Sequence, residues 1–197
     1  MHLINAMKTA KRLAKQTRCP IWVLITLNAW LISGCSQRSV QLLHSANEMP
    51  DPVGANWVRD VWEKPRLHQV MVVDRAGHKQ AVAASSIWGY RTNHNELYRL
   101  YRDTFYEVLQ RGPLSVYQLD EWVGDSRWTS YYFSLTPNGD IYDLDRRTIK
   151  SVFRDDECMQ RLVSQMRERH LLRTDSRGSY GLASAYSFCH CRNTVNR

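Results

Sequence analysis

Hydrophobic and polar positions along this chain follow three successive patterns. Residues 19–34, "CPIWVLITLNAWLISG", form an almost unbroken apolar run with Asn28 as the main exception. From residue 67 onward the period becomes two. "LHQVMVVD" reads as a strand followed by the turn "DRAGHK". "SSIWGYRT" and "ELYRLYRD" flank "NHN" as a hairpin, and "TFYEVLQ", "PLSVYQL" and "RWTSYYFSL" alternate in the same way. In the last of these Thr129, Tyr131, Phe133 and Leu135 share one face. "TPNGD" holds Asn138-Gly139, the pair favoured in type I′ hairpin turns, and "DIYDL" returns from it.

The third pattern has helical spacing. "RTIKSVF" accounts for one or two helical turns. Asp155, Asp156 and Glu157 then open a helix, because carboxylates favour its positive N-terminal end. Met159, Leu162, Val163 and Met166 recur at three and four residues, and Arg167, Arg169 and His170 sit near its end. "YGLASAYSF" reads as a last strand. An apolar helical stripe has to be buried, and the sheet offers the place. The expected fold is α+β: an antiparallel meander of six to eight short strands with one C-terminal helix packed on it.

Between the apolar run and the alternating region, residues 36–54 carry polar residues, two prolines and a glycine, which reads as a tether. "ANWVRDVWE" puts Trp57, Val61 and Trp62 on one helical side, as a short helix lying on the domain or meeting a partner. The expected organisation is a leader over 1–34, a tether over 35–54, one domain over 55–188 and a tail over 189–197.

The leader has chemistry of its own. Residues 1–18 hold Lys8, Lys11, Arg12, Lys15 and Arg18 and no acid, so a positive segment precedes the apolar one, as in secretory signals. The apolar run is shorter than the roughly 20 residues that cross a bilayer as a helix. Ile32-Ser33-Gly34-Cys35 resembles the lipobox of bacterial lipoprotein precursors: an aliphatic residue, two small residues, then cysteine. Small side chains let an extended backbone enter a protease cleft, and cysteine supplies a nucleophilic sulfur. The resemblance implies lipidation of Cys35, cleavage after Gly34 and a membrane partner reached through the lipid. Ser36 resembles the pattern sent to the outer membrane of Gram-negative cells, which implies its periplasmic face. Met7 is an alternative start that leaves a signal of 28 residues.

Cleavage changes the charge. The chain carries 27 Lys and Arg against 19 acids, a net charge of +8, and loses five cations and no acid with residues 1–34. The remainder is +3, which gives no case for nucleic acid. Of the cysteines past Cys35, an oxidising compartment favours a disulfide among Cys158, Cys189 and Cys191, with one thiol left over. Inert thiols and metal ligation by this set and a histidine are the alternatives. The Cys189–Cys191 gap of one residue is short for structural zinc, so no metal or other cofactor is assigned.

Candidate chemistry is sparse. Aromatics crowd residues 88–133 and are interleaved with arginines, which fits either cross-strand packing or a face that stacks sugars or bases. If such a surface binds, Tyr90, Arg99, Tyr101 and Arg102 are its candidates. The clustered acids Asp140, Asp143 and Asp145 match neither a calcium loop nor a defined carboxylate pair. No nucleophile elbow, phosphate loop, dinucleotide loop or H-E-x-x-H pair is present, and no catalytic residue is assigned. Residues 85–153 also loosely resemble small β-rich bacterial envelope proteins of unknown function. These observations lead to the expectation of a non-enzymatic binding or scaffolding lipoprotein of the cell envelope, engaging an envelope protein or glycan. The alternative is a hydrolase directed at cell wall or glycan.

Overall fold

The computed structural model describes residues 39–48 and 57–191. The lipobox and Cys35 lie outside the described residues, as does the tail beyond Cys191.

The described residues form eleven strands: β1 Val40–Leu43, β2 Trp57–Val58, β3 Asp60–Lys64, β4 Gln69–Val73, β5 Lys79–Ala83, β6 Gly89–Thr92, β7 Leu97–Tyr101, β8 Thr104–Gln110, β9 Ser115–Val123, β10 Ser126–Ser134 and β11 Tyr142–Asp143. Among the described residues four α-helices follow: α1 Arg146–Val152, α2 Glu157–Gln165, α3 Glu168–Leu171 and α4 Gly181–Cys191. The class is α+β, with more strands and more helices than the sequence pattern announces. Eight strands form one antiparallel sheet in the order β11-β10-β9-β8-β7-β6-β1-β2, and β3-β4-β5 form a second. None of the described helices is long and apolar enough to cross a membrane.

Both apolar cores lie on one face of the large sheet. By cross-strand register Val40, Leu42, Tyr90, Leu100 and Phe105 share that face with Val116 and Phe133. Toward β2 it is covered by the small sheet, through Val61, Val70 and Val72. Toward β10 it is covered by helices, through Ile149, Phe153, Met159, Val163, Leu171 and Leu182. The starts of α1 and α2 are capped locally. The Asp145 carboxylate accepts from the amides of Arg147 and Thr148 at the start of α1, and Asp156 accepts from the Met159 amide at the start of α2. A disulfide joins Cys158 of α2 to Cys189 of α4 across 31 positions of sequence. Beside it His190 reaches Asp156 at 3.2 Å and stacks on Tyr186.

Four local expectations are corrected. Val40–Leu43, inside the presumed tether, is a fully buried interior strand between β6 and β2. Its residues VQLL put Val40 and Leu42 into the core and bury Leu43 on the opposite sheet face, and the polar neighbours masked that signal. "ANWVRDVWE" is two strands rather than a helix: β2 belongs to the large sheet and β3 to the small one. Arg59 lies between them and donates its amide to the Val73 carbonyl at 2.7 Å. Tryptophan and valine suit strands, so their coincidental helical spacing loses. "YGLASAYSF" is helical. Leu182, Ala183, Ala185, Tyr186 and Cys189 meet the core at helical spacing, and alanine is the best helix former. The turn at Asn138-Gly139 closes on Thr136 at 3.1 Å without a positive φ at either residue. The two-residue turn with both φ values positive is Arg102-Asp103, at +47° and +61°, joining β7 to β8.

The β9–β10 hairpin runs past both cores. Every residue from Glu121 to Thr129 is exposed, Trp122 at 47% and Trp128 at 63% among them. Gly124, at φ +63°, turns its tip.

Candidate functional site

A surface cleft of about 590 Å³ lies on the domain. Five pieces of chain meet around it. The single turn Pro65–Leu67 ends in His68. The segment Ala84–Trp88 leads into β6. The end of β7 and its turn supply Arg99, Tyr101, Arg102 and Asp103. The loop after β10 supplies Asn138. His44, at the end of β1, completes the lining.

Arg99 is the floor. It is only 3% exposed, although its charge would ordinarily hold it in water. Its Nη1 donates to the Tyr117 hydroxyl at 3.0 Å and to Ser134 Oγ at 3.4 Å, and its Nη2 donates to the Gly139 carbonyl. Ser134 Oγ lies 2.8 Å from the Tyr117 hydroxyl and donates to the Thr136 carbonyl at 2.7 Å. The guanidinium also sits 5.4 Å from the Tyr101 ring and 5.6 Å from the Tyr117 ring. Gly89 lies opposite Arg99 in the sheet, and a Cβ there would come 1.9 Å from the Tyr98 carbonyl oxygen. No residue with a side chain fits that approach.

Two histidines stand on the walls. His68 Nδ1 lies 2.5 Å from Asp103 Oδ2, and His44 Nδ1 lies 2.7 Å from the Ser86 carbonyl oxygen. Carbonyl and ionised carboxylate oxygens only accept, so both rings carry their hydrogen on Nδ1 in these bonds. Each Nε2 is then free of that duty. Tyr101 donates its hydroxyl to Asp140 at 2.8 Å. Burial, then that hydrogen bond and the Asp140 charge, push the Tyr101 phenol above its ordinary range.

From the cleft a line of tyrosines continues along the same sheet face. Tyr101 meets Tyr106 at 6.4 Å, and Tyr106 meets Tyr132 edge-on at 5.0 Å. Burial raises the phenols of Tyr106 and Tyr132 as well.

The four residues singled out from sequence therefore separate. Tyr101 and Arg102 line the cleft, and Arg102 is exposed. Arg99 lines it too, but as a buried floor rather than an exposed surface residue. Tyr90 lies on the opposite sheet face, stacked on Tyr98 at 4.6 Å and edge-on to Phe105 at 4.8 Å within the apolar core. His44, His68, Trp88 and Asp103 join the cleft from positions far apart in sequence, with no motif to mark them. The clustered acids have local duties. Asp145 caps α1, Asp140 accepts from Tyr101, and Asp143 pairs with Tyr132 in the sheet. Cys158 and Cys189 are spent in the disulfide and are not available as thiolate ligands. Among the described residues no three of histidine, cysteine, aspartate and glutamate are grouped as a metal would need.

Compared with protein-family models, with curated proteins and with solved structures, the chain gives no match.

Proposed function

We propose that this chain is a lipid-anchored module of a bacterial cell envelope, held at the periplasmic face of the outer membrane by acylated Cys35, and that it binds an envelope protein or glycan in the cleft without turning it over. The anchor rests on Ile32-Ser33-Gly34-Cys35 and the charged and apolar segments before it. The cleft carries the binding reading through one observation. His68, Arg102 and Asp103 all line it at positive φ (+49°, +47° and +61°), and none is glycine. Such backbone persists where surrounding structure enforces it, and it gathers at ligand-holding sites.

The intact mass of protein extracted from membranes without reductant tests the anchor. A mass of residues 35–197 plus acyl chains supports it, and an unmodified mass that still includes residues 7–34 sinks it. Amide hydrogen exchange of the full-length protein, with and without purified cell-wall fragments, tests the cleft. Slower exchange around Tyr101–Asp103 supports binding there.

A hydrolase is the second reading, and one arrangement favours it. The Asp103–His68 pair leaves Nε2 to act as a base, and Ser85 lines the same cleft. Release of soluble fragments from cell wall, abolished by His68→Ala, would replace the binding reading with this one.

A further inference from the structure

The floor of the cleft holds a charge that the fold does not balance. Arg99 is 3% exposed, yet its three side-chain hydrogen bonds all go to neutral oxygens, on Tyr117, Ser134 and Gly139. None of the ion pairs among the described residues includes it. Its Nε, also buried, has no partner there. A buried cation without a counter-charge is costly, and folded proteins ordinarily pair it. Arg99 lines the cleft. Arg102 stands exposed at the rim, 5.1 Å from the same Tyr101 ring that Arg99 approaches. The one carboxylate in the lining, Asp103, is already engaged by His68.

We infer that the cleft is built for an oxyanion, a carboxylate or phosphate group carried by the ligand, which supplies the counter-charge that Arg99 lacks. This rests on the reading of the cleft as a binding site and names the chemistry of what it takes. Low-dielectric walls focus the field of Arg99 into the cleft, so its charge acts on a ligand it need not touch. Arg102 provides the direct contact, because its guanidinium can grip two oxygens of a carboxylate or phosphate at once. His44 and His68 line the same cleft and add ring nitrogens to its polar groups. The tyrosine line leading away from Arg99 offers ring faces and hydroxyls to the rest of the molecule.

The test uses full-length protein in nonionic detergent with ¹⁵N-labelled arginine. Inorganic phosphate, acetate and the neutral disaccharide of N-acetylglucosamine are titrated separately, with sodium chloride at matched ionic strength as reference. Saturable shifts of the Arg99 Nε–H and of the Arg102 and Asp103 amides by phosphate or acetate, beyond those of chloride, are expected. The more effective anion tells a phosphorylated source from a carboxylated one. Arg102→Gln is expected to weaken that response about tenfold, as for loss of one charge-assisted contact. Arg99→Met, checked for folding by near-ultraviolet circular dichroism, is expected to abolish it; if that variant unfolds, Arg102→Gln decides. Shifts no larger than chloride gives, or unaltered in Arg102→Gln, overturn the inference. Should the disaccharide alone move these amides, the oxyanion falls and the binding cleft stands. Silence toward all three probes overturns both.

Discussion

His68 and Asp103 are 35 positions apart in sequence and meet at 2.5 Å, each from a backbone in the left-handed region. Asp103 shares its turn with Arg102, so two adjacent non-glycine residues occupy a conformation that costs each about 1–2 kcal/mol. Replacing the pair by the residues that the turn prefers, Arg102→Asn with Asp103→Gly, is expected to stabilise the protein by about 1 kcal/mol in urea unfolding. The same double variant is expected to lose anion binding in the cleft. A variant less stable than the parent would show that the lost His68–Asp103 bond outweighs the strain of the turn.

The Cys158–Cys189 bridge closes a loop of 31 positions. Chain-entropy arithmetic for a loop of that size gives roughly 3–4 kcal/mol of stabilisation. Urea unfolding with and without dithiothreitol checks this, and Cys158→Ala with Cys189→Ala should reproduce the reduced protein. Loss of protection is expected first in α2 and α4.

Asp145 titrates in a way that couples to acid stability. Burial pushes its carboxyl up, but bonds from the Thr148 hydroxyl and from the amides of Thr148 and Arg147 together outweigh it and hold it below the ordinary range. Its contribution is therefore present above the unfolded value of about 4 and is lost as pH falls through the lower folded value. Asp145→Ala is expected to cost about 1 kcal/mol at pH 7, and to differ little from the parent at a pH low enough to protonate the cap. Equal unfolding midpoints at pH 7 would refute the cap.

Deleting residues 1–54 removes β1 and opens the large sheet between β6 and β2. Val40 and Leu42 leave the core, and Leu43, buried on the opposite face, goes with them. Three lost aliphatic side chains amount to several kcal/mol, comparable with the whole stability of a domain. A chain beginning at Ala55 is expected to lack cooperative unfolding, while one beginning at Ser36 retains it. Circular dichroism on the two proteins decides.

Much of the sheet was legible in the sequence because alternation has a local cause. The β6–β7 hairpin and the long β9–β10 ribbon follow from it, and α2 follows from Asp156 and the Met159–Val163 spacing. What escaped had no local cause. The four residues of β1 are too few for a pattern to emerge. The alanines of α4 are small enough to suit either period. Tyr90 and Arg99 look alike in a one-dimensional list of aromatics and arginines. Only strand register puts one into the apolar core and the other beneath the cleft. The cleft itself was illegible, since His44, His68 and Asp103 converge through sheet packing and not through spacing.

The β1 strand has a mechanical consequence. Edge strands can be peeled away one hydrogen bond at a time, and an interior strand is gripped from both sides. Tension arriving along the chain from residue 39 enters the sheet at such a strand, in the same sheet that carries Arg99. A load on the N-terminal side is thereby spread into the body of the domain rather than unravelling it from a rim.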